Sequence, residues 1–345
     1  MKLRNILFGV FTATFVIAGC NEKSGPTPDN PGEEEVTPPV ENETEDYPKG
    51  VKVTEFSDDL GGGKKCLGFI ATIDFSKNEK LKFTSYYTLP KKTLTSIYKE
   101  YGNKTDKACL VINAGYFSGT TSIGLCISNG IVKTPGLRSM NWPNDQNYKQ
   151  TVYPVRSALG QMEDGKFEIK WIYHPDPKFR KFYAYPSALG NDEKTQTFMT
   201  TPPTAEDEGA ELWSPFNAIA AGPRLVENGK NVAEINYWKE VLNSGGTAGM
   251  SRQPRTAAGI TADNRLILIV CDGRNMRGSA GFTLPELADK LISLGAVNAL
   301  NFDGGGSSEM VGKDGTVLNR PSDSGASGDI SERKILTSIV ISETK

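Results

Sequence analysis

The sequence predicts an α+β fold: a central mixed sheet, few helices, and long loops that build a cleft. Three observations point there. Residues 265–310 read as strand, turn, helix, turn, strand, a unit that favours two parallel strands in one sheet. Residues 51–85 alternate short apolar and polar segments, which suits β structure. Residues 175–213 are rich in Pro, Thr, Asn, Asp and aromatic side chains, so long surface loops are expected there.

The first segment of the chain is set apart from that fold. Lys2 and Arg4 precede an apolar run from Ile6 to Ile17, and Ala18-Gly19-Cys20 follows where the run ends. Residues 1–19 therefore read as a lipoprotein signal peptide, too short to span a membrane, with Cys20 as the lipidated residue. Residues 20–48 are rich in Pro, Glu, Thr and Asn. Too little apolar surface is present to offset ordering entropy, so this stretch reads as a flexible acidic tether. Residues 49–345 form the folded domain. The expected location is the bacterial cell envelope, exported and held to a membrane by the lipid on Cys20. Export permits disulfides among Cys66, Cys109, Cys126 and Cys271, and the sequence does not choose among the pairings. Cys109 and Cys271 lie in strand-like runs that equally suit buried thiols.

Within the domain, Gly61-Gly62-Gly63 has no helix or Lys-Ser/Thr after it, so it reads as a hairpin turn and not a phosphate loop. Residues 93–101 suit a short helix. Cys109-Leu110-Val111-Ile112 is a buried strand ending at Asn113. Asn129-Gly130 marks a hairpin, and residues 166–173 alternate as a strand. Asp263-Asn264 joins the strand that carries Arg255 to the apolar run Leu266–Cys271 as antiparallel neighbours. Thr283, Pro285 and Glu286 form a helix start with a capping box. Leu287, Leu291 and Leu294 follow at helical spacing and Gly295 stops the helix. A last strand closes the chain at residues 335–342.

Net charge is −2, so nothing suggests a nucleic-acid partner. The single histidine, His174, excludes multi-histidine metal sites and makes His-based triads a poor fit. Carboxylates, arginines, hydroxyls and backbone amides must carry the chemistry. Asp272 and Asp303 end the two strands of the 265–310 unit. Parallel strands would bring both to one rim, with Arg274 and the turn Gly304-Gly305-Gly306 beside them, where ligands of α/β sheets bind.

Five blocks, Asn113-Ala-Gly-Tyr-Phe, Ala221-Gly-Pro-Arg-Leu, Pro254-Arg-Thr-Ala, Val270-Cys-Asp-Gly-Arg and Asn301-Phe-Asp-Gly-Gly-Gly-Ser-Ser, together resemble the phosphodiester glycosidase family. The resemblance spans roughly residues 51–341. The last block is the specific one, and the others follow in the family's order. Ala114 and Tyr116 stand where the family pattern has Gly and Phe.

The resemblance implies a hydrolase that cleaves the glycosidic bond of a sugar phosphodiester, such as a GlcNAc-1-phosphodiester-like glycan or an envelope polymer. Carboxylates stabilise the oxocarbenium-like state of such a reaction. Asp303 is the expected principal catalytic carboxylate and Asp272 its partner. Asn113 would orient substrate, and Arg255 and Arg274 would grip phosphate oxygens. The amides of Gly304, Gly305, Gly306 and Ser307, with the Ser307 and Ser308 hydroxyls, would form an anion nest. Asp272, Asn301 and Asp303 also offer hard oxygen donors suited to Mg or Ca, although their spacing matches no closed metal loop and no cofactor is required. A second class of function is a surface lipoprotein that captures glycans without turnover. It predicts binding that survives neutralisation of both aspartates.

Overall fold

The structure is a computed structural model that describes residues 47–102, 105–142, 149–176, 178, 181–244, 246–325 and 327–345. The signal peptide, Cys20 and all but the last two residues of the expected tether lie outside the described residues.

Three sheets dominate. The first has seven strands in the order Val51–Asp59, Lys65–Ile73, Leu266–Cys271, Arg255–Thr261, Ala296–Asn301, Arg224–Glu227 and Lys230–Asn231. The second also has seven, in the order Glu211–Trp213, Phe182–Tyr185, Phe167–Tyr173, Arg156–Gln161, Asn217–Ala220, Leu125–Ser128 and Ile131–Pro135. The third has four: Met310–Val311, Asp106–Asn113, Ile335–Thr344 and Leu81–Lys92. Among the described residues there are three α-helices, Leu94–Gly102, Ala233–Lys239 and Leu284–Ser293.

The fold is therefore mostly β, and every strand pairing within a sheet is antiparallel. This corrects the expected α+β fold, its mixed central sheet and its parallel strand–helix–strand unit. Leu266–Cys271 and Ala296–Asn301 do not touch, because Arg255–Thr261 lies between them and pairs antiparallel with both. Two strands antiparallel to a shared neighbour run the same way, so their C-terminal ends still reach one edge. That edge also holds Arg255, at the start of the middle strand and opposite Cys271.

Burial follows the pleat. Leu266, Leu268 and Val270 join a core cluster with Leu110 and Ile112 of the third sheet and Leu159 and Ile219 of the second. Ile267, Ile269 and Cys271 point to the other face, against Leu284, Leu287, Ala288 and Leu291 of the last helix. Such a strand is apolar at every position because both faces are covered. The helix begins as its sequence requires: Thr283 accepts from the Glu286 amide, and Glu286 accepts from the Thr283 amide in return. The glycine run 61–63 sits in the tight connection between the first two strands. The expected loop region holds two short strands, Phe182–Tyr185 and Glu211–Trp213, and is otherwise irregular among the described residues. The four described cysteines are buried free thiols.

Candidate functional site

Asp303 stands just beyond the strand Ala296–Asn301, at the shared edge. Its amide donates to the Ala114 carbonyl at 2.7 Å, which fixes the turn. The carboxyl is half-buried, and Oδ1 accepts from the Gly304 amide at 2.9 Å. Burial pushes its pKa up to about 6, against the opposing pull of the Ser307 hydroxyl, the Gly304 amide and the Arg333 charge. At neutral pH it is a carboxylate held in a poorly solvated place, which is how active sites arrange a reactive acid.

In the glycine turn, the amides of Gly304, Gly305 and Ser307 are engaged inside the protein. Gly304 donates to Asp303, Gly305 to the Pro254 carbonyl at 3.0 Å, and Ser307 and Ser308 to the carbonyls of Gly304 and Gly305 at 3.2 Å each. The glycines answer to close packing. A Cβ on Gly304 would lie 2.8 Å from the Pro254 carbonyl, and one on Gly306 would lie 2.1 Å from Asp323 Oδ1. Gly305 has φ +63° and lies beneath the Arg274 guanidinium. The Ser307 hydroxyl bonds toward Asp303, and the Ser308 hydroxyl is buried with no partner among the described residues.

Arg274 is exposed and reaches across the turn. Its Nε donates to Gln253 Oε1 at 3.0 Å and its Nη1 to the Ser322 hydroxyl at 3.3 Å. Arg255 is only 3 % exposed. Its Nε donates to the Phe282 carbonyl at 3.0 Å, and Nη2 donates to the carbonyls of Ala248 at 2.6 Å and Ser251 at 2.8 Å. It thereby holds residues 248–251 against the start of its own strand.

Asp272 and Asn113 are engaged inside the protein. One Asp272 oxygen accepts from Arg277 Nε at 2.5 Å, and the other from Asn319 Nδ2 at 3.1 Å and the Arg320 amide at 2.8 Å. Asn113 donates to the Asp303 carbonyl at 2.7 Å and accepts from the Thr256 hydroxyl at 2.7 Å and the Glu309 amide at 3.1 Å. Asn301 donates to Tyr116 Oη at 2.8 Å and to the Gly222 carbonyl at 3.0 Å, while its Oδ1 is buried without a partner among the described residues. No group of three or more His, Cys, Asp or Glu side chains is placed to hold a metal among the described residues.

Residues 106–342 match the family described as phosphodiester glycosidase. The chain belongs to the phosphodiester glycosidase family. Over 108 residues it is 35% identical to the SPbeta prophage-derived protein YomE of Bacillus subtilis, covering 31% of this chain and 15% of that protein. Over 125 residues it is 31% identical to N-acetylglucosamine-1-phosphodiester alpha-N-acetylglucosaminidase of Bos taurus, covering 34% of this chain and 23% of the relative. The chain thus spans under a quarter of the length of these curated relatives in the matched stretches. The fold is similar to the catalytic domain of the zebrafish N-acetylglucosamine-1-phosphodiester alpha-N-acetylglucosaminidase, with TM-score 0.55 and 18% identity over 87% of this chain and 84% of that one. It is also similar to a Synechocystis protein, with TM-score 0.51 and 18% identity over 85% and 62% of the two chains.

In this phosphodiester glycosidase family member, several residues at the site were not singled out by the sequence. Arg333 pairs with Asp323 through Nε at 2.8 Å and Nη2 at 2.9 Å, above Gly306 and beside Ser307. Glu309 directly follows the specific block, and its position there is the one signal that marked it. Tyr116 donates to the Gly222 carbonyl at 2.8 Å, and burial pushes its phenol up to about 12. Arg156 starts a strand of the second sheet and lines a narrow cleft with Tyr116, Tyr173 and His174. In the aromatic-rich region, Tyr185 Oη donates to the Thr204 carbonyl and Trp213 Nε1 donates to Glu168 of the strand Phe167–Tyr173.

Proposed function

We propose that this chain hydrolyses the glycosidic bond of a sugar phosphodiester, of the GlcNAc-1-phosphodiester type, with Asp303 as the catalytic carboxylate. The observation that carries the reading is the state of Asp303: a half-buried acid at a strand end, raised to about 6, on the same edge as Arg255 and Arg274. Family membership supports the same reaction class.

The bond that breaks joins the anomeric carbon to a phosphate oxygen. The electron pair leaves with the phosphate, which is a weak base and needs little protonation. Asp303, ionised above its pKa, stabilises positive charge on the sugar ring as that bond opens; water then adds to the anomeric carbon to give the free sugar, and its proton passes to the released phosphate or to solvent. Arg274 and Arg255 neutralise the phosphate that departs. Asp272 orients the Gly273-Arg274 turn through Arg277 and Asn319, and Asn113 orients Asp303 through its carbonyl. These two are positioning residues in the proposal. No step is assigned to a cation.

We further infer that the protein is exported and anchored by a lipid on Cys20, with residues 20–48 as tether. The Ala18-Gly19-Cys20 sequence at the end of the apolar run supports this.

The test is release of free N-acetylglucosamine from a phosphodiester substrate by the full chain and by Asp303→Asn. Release by the parent alone supports the proposal. Release by both would move the catalytic role away from Asp303. Sugar binding without release by either would favour the glycan-capture reading.

A further inference from the structure

Cys66 and Cys271 are diagonal neighbours inside the first sheet. Their strands, Lys65–Ile73 and Leu266–Cys271, pair antiparallel, and Cys271 stands opposite Gly68. Cys66 lies two positions from Gly68 and so shares its face. Both cysteines are fully buried, in one cluster with Phe56, Ile269, Phe282 and Leu284. A Cβ on Gly68 would lie 2.3 Å from the Val270 carbonyl and 2.7 Å from the Cys271 Cα. The two backbones thus approach more closely at Gly68 than a side chain would allow, and no side chain stands between the cysteines. Their thiols meet in a hydrogen bond.

The other two described cysteines differ. Cys109 lies in the third sheet and donates to the Ile341 carbonyl at 3.3 Å, and Cys126 lies in the second sheet opposite Ile219. Neither sheet holds another cysteine among the described residues.

The pair stands where the turn 272–279, which carries Arg274, leaves the sheet. The Leu67 carbonyl, next to Cys66, accepts from the Asp272 amide at 2.9 Å. The Leu67 amide donates to the Ser279 hydroxyl at 3.0 Å, which donates in turn to the Asp272 carbonyl at 2.8 Å. Both ends of the turn are therefore fastened to the Cys66 strand, by hydrogen bonds.

We infer that Cys66 and Cys271 close to a cross-strand disulfide as the chain folds under oxidising conditions, a covalent lock between the Asp272–Ser279 turn and the neighbouring strand. The oxidant is a small disulfide such as oxidised glutathione. One cysteine thiolate attacks it, forming a mixed disulfide and releasing one glutathione thiolate. The second cysteine thiolate attacks the mixed disulfide, forming the Cys66–Cys271 bond and releasing the other. The oxidant is reduced to two thiols, which take up the two cysteine protons. Closure belongs to the folding stage because the thiolate is the reacting form. In the folded sheet the adjacent Cys271 thiol and burial push Cys66 up, away from that form. Burial also shields the closed bond from reductant.

The full chain is refolded from denaturant in a glutathione redox buffer and, in parallel, in excess reductant. Free thiols are blocked with iodoacetamide in denaturant, and the unreduced digest is read by mass spectrometry. The oxidised sample should contain a peptide pair that joins Cys66 to Cys271 and separates on reduction, with Cys109 and Cys126 alkylated. The oxidised chain should melt about 5 °C or more above the reduced chain. Cys66→Ala should melt at one temperature in both buffers. Alkylated Cys66 and Cys271 in the oxidised sample would overturn the inference, and so would either one joined to a different cysteine. A Cys66–Cys271 link with no gain in Tm would overturn the lock. These readouts need no turnover, so they stand or fall apart from the hydrolase reading.

Discussion

The Asn113 side chain donates to the backbone carbonyl of Asp303 at 2.7 Å, across 190 positions of sequence. The same amide accepts from Thr256 and Glu309. One fully buried side chain therefore ties the third sheet, the middle strand of the first sheet and the turn at Asp303 together. Asn113→Ala would leave three buried polar groups without partners. Stability should fall by about 3 kcal/mol or more in urea titration. Asn113→Asp keeps both acceptor contacts and loses the donor to Asp303. Its kcat should drop more than its KM changes, since the loss concerns where Asp303 sits.

Asp303 sets the pH response. Its folded pKa of about 6 lies above the ordinary 3.8, so the native state holds its proton more tightly than the unfolded chain. The linkage favours folding below the unfolded value and is lost as pH rises through 6. The loss is about 3 kcal/mol at full ionisation. Asp303→Asn should therefore gain stability relative to the parent between pH 4 and pH 7. In the proposed reaction activity runs the opposite way, because Asp303 acts there as its ionised form: kcat/KM of the parent should rise with pH through about 6. A flat activity profile there, with stability still responding, would separate Asp303 from the chemistry.

Much of this site was visible in the sequence because its signals are local. The helix at Leu284 carries its own capping box, and Asp263-Asn264 names the hairpin that places Arg255 opposite Cys271. That hairpin is also what defeats the parallel pair. The strand–helix–strand run gives no sign that Arg255–Thr261 inserts between its two strands, since insertion depends on which strand covers which edge and not on periodicity. The internal bonds of the glycine turn were hidden for a similar reason. Gly304-Gly305-Gly306 is permissive in sequence, and only the approach of Pro254 and the Asp323–Arg333 pair decides where its amides point. Arg156 was missed because it lies 84 positions from the Glu240 carbonyl it meets, and Arg333, ten positions from Asp323, because its segment carries no motif.

Asp272 should behave unlike Asp303. Its carboxylate is fully enclosed and meets Arg277, Asn319 and the Arg320 amide. Burial raises its pKa, and the Arg277 charge and hydrogen bond pull it back. Removing one member of a buried pair costs about 3–5 kcal/mol. Asp272→Ala should thus lower Tm sharply. The folded fraction should retain turnover within about tenfold of the parent, against a loss of about a thousandfold or more for Asp303→Asn. Equal loss of kcat in both variants, with Tm unchanged in Asp272→Ala, would return Asp272 to a direct role.

Glu309 and Glu332 give the last test. Glu309 is buried, and burial together with its hydrogen bond to Glu332 pushes its pKa up to about 10. Glu332 in turn accepts from the Thr95 amide at 3.0 Å and hydroxyl at 2.6 Å, at the start of the first helix. At neutral pH Glu309 therefore keeps its proton. That proton ties the segment after the glycine turn to the segment that carries Arg333. The raised pKa means the native state keeps the proton that the unfolded chain releases near 4.5. Stability should therefore decline from the acid side as pH climbs towards 10. Glu309→Gln supplies a permanent N–H donor to Glu332 and has nothing to titrate. Its Tm advantage over the parent should be larger at pH 9 than at pH 5, by about 5 °C or more. Parallel Tm curves across that range would mean that the two carboxyls do not share a proton. The link between helix and turn would then rest on the Thr95 contacts alone.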